Sequence, residues 1–309
     1  MKLKLLLPAL ILIFSLPVSA QPIVAWQQRE TNVCTLPTDA TGHDWFEIDF
    51  DDSSWTSTSL PYFRNTAASA DAYFRGSFEL AEIPAELLLN FASDDGLWLY
   101  VNGTFLNHWG GACHAPGCVN QPECGAGNFV AVNPIDIASD LIVGKNIIAA
   151  SISNPPGNMY FNASLLRWKM SPIINDCAGP TDAFGNAWPD PDFDDSVWSQ
   201  IAVPHRIQSP GLADRYYRTT FTLAALPQAV LINFRSDDGL WLYVNGQFYN
   251  HYGPNCHQSG CVNLSGCGIN SNVQPQDIAN LLTVGQNTIA VHVSNSSSAG
   301  GMSFDFGIS

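Results

Sequence analysis

The feature that most constrains this 309-residue chain is that it is written twice. Cys34, Cys113, Cys118 and Cys124 recur as Cys177, Cys256, Cys261 and Cys267, each displaced by 143 residues. The same displacement carries Trp45, Asp49, Phe50, Asp51, Asp52 and Trp55 onto Trp188, Asp192, Phe193, Asp194, Asp195 and Trp198. It also carries the whole run from Ser93 to Gly103 unchanged onto Ser236 to Gly246. A unit of about 140 residues is the size of a domain with its own core, and it is too long, and repeated too few times, for a solenoid. The expected organisation is a leader over 1–20, one copy over 21–170 and a second over 171–309, with a short connector near Lys169 to Asp176.

Within a copy the local signals are those of strands. Ala72 to Leu80, Glu86 to Ala92, Leu97 to Asn102, Lys145 to Asn154 and Tyr160 to Trp168 are short β-rich runs between turns. Helix signals are weak, with one short turn expected over Pro134 to Leu141 and again over Pro275 to Leu282. Asp95-Gly96 and Asn102-Gly103 suit tight turns with positive φ and are expected to end hairpins on either side of the central strand. Many short strands at near-regular spacing predict an all-β fold of two tandem β-sandwiches.

The N-terminus reads as a secretory leader: Lys2 and Lys4, an apolar stretch from Leu5 to Phe14, and Val18-Ser19-Ala20 before a mature start near Gln21. That stretch is short of the ~20 apolar residues a membrane helix needs, and no later segment qualifies. The product is expected to be secreted or periplasmic. In that compartment the eight cysteines, four per copy, read as two disulfides within each domain, with three pairings open in each. Zinc is the other reading of Cys with His, but no Cys-x-x-Cys pair is present. With 12 basic residues against 27 acidic ones the chain should repel nucleic acid and anionic lipid.

The order of four motifs is similar to the galactose-binding-domain-like jelly rolls, which include the N-terminal sugar-binding domain of family 2 glycoside hydrolases. These are Trp45 with Asp49-Phe50-Asp51-Asp52 and Trp55 ahead of Leu60-Pro61; Tyr73-Phe74-Arg75 leading Phe78; Leu99-Tyr100-Val101-Asn102-Gly103; and Gly144-Lys145-Asn146 before a strand ending at Asn154. All four recur in the second copy. The resemblance implies a jelly-roll sandwich that often serves as a carbohydrate-binding or accessory module. A local similarity of Ser93-Asp94-Asp95-Gly96 to protective-antigen-type lectin domains implies a calcium held by paired aspartates, although Asn102 stands where that group has an acidic residue.

Two readings therefore stand for Asp94 and Asp95, and for Asp237 and Asp238: carboxylates that satisfy turn amides, or calcium ligands. The same choice applies to Asp49, Asp51 and Asp52. Alternation puts Leu97, Leu99 and Val101 on one face of their strand and Trp98 with Tyr100 on the other. Burial against a loop or the sister domain is the expected fate of Trp98, and stacking on sugar rings the alternative for it and Trp241. No Gly-x-Ser-x-Gly, His-Glu-x-x-His or phosphate-cradling loop occurs, and the acidic clusters recur in both copies, which favours binding over catalysis. The expected site in each copy is a shallow one on the cysteine loop: Asp94, Asp95, His108, Trp109 and His114, then Asp237, Asp238, His251, Tyr252 and His257. The expected partner is a glycan or cell-surface polysaccharide. The alternatives are a structural or adhesive surface protein, and third a glycoside hydrolase or its accessory subunit.

Overall fold

A computed structural model describes residues 24–31, 36–66, 70–94, 96–109, 130–131, 134–154, 157–172, 179–208, 213–223, 225–252, 271–295 and 301–309. The leader over 1–20, all eight cysteines with their expected disulfides, Asp95, His114 and His257 lie outside the described residues.

The first copy contributes β1 (Ala25–Thr31), β2 (Thr56–Thr58), β3 (Tyr62–Thr66), β4 (Ala70–Leu80), β5 (Leu88–Asp94), β6 (Gly96–Val101), β7 (Thr104–Trp109), β8 (Val130–Ala131), β9 (Ile135–Asp136), β10 (Gly144–Asn154) and β11 (Gly157–Ser164). They form a six-stranded sheet in the order β2-β1-β4-β10-β6-β7 and a five-stranded sheet containing β3-β11-β5-β8, with β9 also on β5. The second copy repeats this with β12 (Trp168–Met170), β13 (Ser199–Ile201), β14 (His205–Ile207), β15 (Ala213–Leu223), β16 (Leu231–Asp237), β17 (Gly239–Val244), β18 (Gln247–Tyr252), β19 (Ser271–Asp277), β20 (Gly285–Asn295) and β21 (Met302–Ile308). Its sheets are β13-β12-β15-β20-β17-β18 and β14-β21-β16-β19. Single 3₁₀ turns at Ala138–Asp140 and Ala279–Leu281 occupy the two short turns expected from sequence.

Each pair of sheets closes over one core, because alternate residues of every strand point between them. Leu97, Leu99 and Val101 are fully buried there with Ile148, Ala150 and Ile152 from β10 and Phe91 and Phe161 from the facing sheet. Leu240, Leu242 and Val244 take the same places with Ile289, Val291, Val293, Phe234 and Phe304.

Two expectations need correction. The run Tyr160 to Trp168 is not one strand: β11 ends at Ser164, and Trp168–Met170 pairs with β13 and β15 in the second copy's sheet. Sheet membership therefore changes between 164 and 168, ahead of the expected division at 170/171. Nor does the Asp-Gly turn before β6 close a hairpin, since β5 and β6 lie in different sheets and the link crosses between them. Asn102 and Gly103 do make the expected hairpin, at φ 49° and 85°, as do Asn245 and Gly246.

That turn is locked by side chains. Asn102 Nδ2 donates to the Asp140 carbonyl (2.8 Å) and to Asn146 Oδ1 (2.9 Å), while its Oδ1 accepts from the Ile147 amide (2.8 Å). Asn146, fully buried, donates to the carbonyls of Ile142 and Gly144 (2.8 and 2.9 Å). The Asn-Gly and Gly-Lys-Asn motifs of the sequence thus hold one hairpin to one loop, with their buried amides satisfied.

The outer faces of the two smaller sheets meet. Asn162 Nδ2 donates to Asp305 Oδ1 (2.5 Å) and to the Phe306 carbonyl (3.3 Å), Tyr160 donates its hydroxyl to Asp305, and Asn233 Nδ2 donates to the Pro61 carbonyl (2.7 Å). Asn162 and Asp305 occupy equivalent positions in the two copies, so this contact pairs like with like, as across a pseudo-two-fold axis. Burial raises the Asp305 carboxyl to about 6, against hydrogen bonds from Tyr160 and Asn162 that pull it down. An acid raised in this way takes up its proton in the folded chain first, so its effect favours folding as pH falls from above 6 toward 4 and is lost as pH rises through 6. Asp305→Asn is expected to reduce this slope and to add ~1–3 kcal/mol of stability at pH 8. Asp237, also raised to about 6, has the same sign and keeps part of the slope. Urea unfolding at pH 5 and pH 8 measures the change, and an identical pH 5 to pH 8 difference in the variant would contradict it.

Candidate functional site

The outer face of each six-stranded sheet is half covered by a loop whose acids organise it. Asp39 accepts from the amides of Thr41 (2.8 Å), His43 (3.0 Å) and Asp51 (3.0 Å), and Asp182 does the same for Phe184, Asn186 and Asp194 (2.9 Å each). These bonds overcome partial desolvation and hold both carboxyls well below the usual range. Asp51 accepts from the Ser53 amide (3.0 Å), and Asp52 pairs with the buried Arg75 (2.7 Å). Of the two readings open for Asp51 and Asp52, the geometry is that of turn and loop organisation.

The loop buries Trp45, Phe50 and Trp55 against Tyr73 and Tyr100. Beyond its edge the face carries further rings. Cross-strand register sets Tyr73, Ser151, Trp98 and His108 in one row and Arg75, Ala149, Tyr100 and Phe105 in the next. Trp98 packs on His108 (4.7 Å, 41°) and Phe105 (5.5 Å), and Phe105 reaches Tyr100 (5.3 Å), itself stacked on Phe46 (4.5 Å, 8°). The second copy repeats the strip: Trp241 with His251 (4.8 Å, 36°) and Phe248 (5.4 Å), and Phe248 with Tyr243 (5.5 Å). Phe105 and Phe248 are 47% and 52% exposed, whereas the Trp and His rings are half-buried. Tyr100 is the ring the loop covers, so burial falls on it more than on Trp98.

His108 Nε2 and His251 Nε2 are shut off from solvent and find no hydrogen-bond partner among the described residues. Burial lowers His108 below the ordinary imidazole range, so it is neutral at pH 7. Each strip thus presents flat rings, with Phe105 or Phe248 the most exposed, on which a ring-shaped ligand can lie.

The residues expected to share one site are divided by the sheets. His108 and His251 sit on the strip. Trp109 and Tyr252, one residue on, turn to the other face and pack at the core edge against Phe91 (4.7 Å) and Phe234 (4.8 Å). Asp94 ends β5 opposite Tyr160. Asp237 ends β16 opposite Ser303, pushed up to about 6 by burial and by Asp238. Asp238 is buried, and its carbonyl accepts from Ser236 Oγ (2.9 Å). Among the described residues no three His, Cys, Asp or Glu side chains converge as a metal site. Phe105 and Phe248 are site residues the sequence reading missed; their signal is alternation with Trp98 and Tyr100 across the Asn102-Gly103 turn.

The buried triplet Asp214, His292 and Ser294 is not arranged for nucleophilic catalysis. Asp214 Oδ1 (2.5 Å) and Ser294 Oγ (3.2 Å) both meet the same ring nitrogen of His292, whereas a relay needs them on opposite nitrogens.

Fold and face together define an all-β sandwich protein with a duplicated aromatic strip. No family model and no curated protein matches the chain. Among solved structures it is similar to a β-glucuronidase from glycoside hydrolase family 2, at 13% identity and a TM-score of 0.29, over 91% of this chain and 27% of that one. It is similar also to a family 2 member from Bacteroides cellulosilyticus DSM 14838, at 12% identity and a TM-score of 0.27, over 89% of this chain and 31% of that one. An anti-sigma factor domain-containing protein from Clostridium clariflavum matches at 9% identity and a TM-score of 0.25, over 93% of this chain and 94% of that one. The chain thus spans less than a third of the hydrolases' length. Among the described residues no helix is long and apolar enough to cross a membrane.

Proposed function

We propose that the chain is a secreted, non-catalytic carbohydrate-binding protein in which each jelly-roll copy presents one shallow site. The observation that carries this reading is the half-exposed strip Trp98, Phe105 and His108, repeated as Trp241, Phe248 and His251. A pyranose ring laid on Trp98 would bury its C–H face against the indole. In the sequence β7 is followed by Cys113, Cys118 and Cys124, which we read as disulfide-bonded. Two weak sites on one chain gain by avidity on a polymer.

The test is sedimentation with insoluble polysaccharides and a glycan array, comparing the full chain with a Trp98→Ala, Trp241→Ala double variant. Loss of one aromatic stacking contact per site, ~1 kcal/mol or more, combined across two linked sites, is expected to weaken polymer binding at least ~10-fold. Undiminished binding by a variant with unchanged circular dichroism would remove the strip as the site. A blank array together with capture of a protein ligand would favour the adhesive reading.

A further inference from the structure

The cleft where the two copies meet holds chemistry that the duplication does not explain. It encloses about 380 Å³, and its lining includes Tyr160 of the first copy with Arg206, Arg235, Asp237, Ser303 and Asp305 of the second. Register places them on one sheet face. Arg206, Ser303 and Asp237 lie directly opposite one another across β14, β21 and β16, and Asp305 with Arg235 forms the next row on the same side. The equivalent first-copy positions are Phe63, Tyr160, Asp94, Asn162 and Ala92, so only the aspartate is kept. Neither guanidinium has a counterpart, and a fold that forms without them in one copy does not require them in the other.

Contact between the copies explains part of this set. Arg235 lies over the Phe63 ring at 5.3 Å, and Asp305 takes Tyr160 and Asn162. Both guanidiniums also line the cleft: Arg235 is half-buried and its charge acts on Asp237 and Asp305, and Arg206 is exposed. Two guanidiniums converging on a cleft favour an anion with planar oxygens. Half-buried Asp237, in the row of Arg206 and two residues from Arg235 on β16, can accept from a hydroxyl. A phosphate dianion would set more charge against Asp237 and Asp305, a neutral sugar would gain nothing from the positive charge of the guanidiniums, and a metal cation would be repelled by them.

We propose that this cleft binds a small hydroxylated carboxylate, a sugar acid in chemical class, with its carboxylate toward Arg206 and Arg235 and a hydroxyl toward Asp237. The volume suits a single monosaccharide-sized ligand, and the site is distinct from the aromatic strips on the opposite sheets. Calorimetric titration of the full chain with sodium D-galacturonate, against D-galactose, tests it. Galacturonate is expected to bind at least ~10-fold more tightly than galactose, and Arg206→Gln and Arg235→Gln each to weaken it at least ~10-fold. The Trp98→Ala, Trp241→Ala variant is expected to bind galacturonate unchanged, which separates this site from the strips. Arg206 is exposed, so its variant folds even if Arg235→Gln loosens the contact with Phe63. Equal affinity for the two sugars, absence of galacturonate binding, or an Arg206→Gln variant that binds as well as the parent overturns the proposal.

Discussion

Arg75→Met is expected to cost the chain ~3–5 kcal/mol of stability and to release the loop that frames the first strip. Arg75 is 1% exposed. Its guanidinium donates to Asp52 Oδ2 (2.7 Å) and to the carbonyls of Trp45 (2.5 Å), Glu47 (2.9 Å) and Phe50 (3.5 Å), and lies over the Phe50 ring at 5.0 Å. Methionine fills much of the volume but donates nothing, so several carbonyls and a carboxylate lose their partner together. Arg218→Met in the second copy is expected to cost less. Asp195, the partner of Arg218 at 3.1 Å, is also held by Lys169 at 2.6 Å, whereas Asp52 has no second cation among the described residues. Chemical unfolding of the two single variants checks both the size and the order. A loss below ~1 kcal/mol for Arg75→Met, or a larger loss for Arg218→Met, would show that the loop is held by its buried rings instead. Because Trp45 and Phe46 brace Tyr100 beneath the strip, Arg75→Met should also weaken polysaccharide binding.

Gly307→Val is expected to separate the two copies without dissolving either. Gly307 pairs with Asn233 in the sheet, and a Cβ there would collide with the backbone carbonyl of Leu60 in the other copy. Backbone cannot swing aside as a side-chain tip can. The interface must open, with loss of the bonds from Asn233 to Pro61 and from Asn162 and Tyr160 to Asp305. Several buried hydrogen bonds at ~1 kcal/mol each make the expected loss ~3 kcal/mol. Differential scanning calorimetry should resolve two melting steps in place of one, and small-angle scattering should show a larger radius. A single transition at the parent temperature would mean that the contact adds nothing to stability. Galacturonate binding should fall in the same variant, since Tyr160 is the first copy's contribution to the cleft.

The sequence was most legible where a signal is local. The strands expected from Ala72 to Leu80 and from Lys145 to Asn154 lie within two residues of β4 and β10. Positive φ at Asn102 and Gly103 follows from what an Asn-Gly turn requires. The aliphatic face of Leu97, Leu99 and Val101 goes inward because the larger apolar set of β5, β10 and β11 waits there. The site was less legible. Simple pairing outward from Asn102-Gly103 would set Asn107 opposite Trp98, but the ladder slips between Leu99 and Tyr100 and places His108 there instead. A bulge adds one residue to one strand, and its position depends on how the hairpin twists against its neighbours. It brings His108 onto the strip and sends Trp109 to the core edge, which is why residues grouped by proximity in sequence stand on opposite faces.

By itself, then, the sequence determined that there are two copies, that each is built from short strands, and which face of each strand is apolar, since these follow from repeated residues and alternation within a few positions. Only the tertiary structure decided which strands pair across a hundred residues, that Arg75 and Arg218 anchor the covering loops, and that Arg206, Arg235 and Tyr160 meet in one cleft. Those arrangements depend on packing between distant segments, where a side chain's partner is set by sheet order and twist and leaves no periodic trace in the chain.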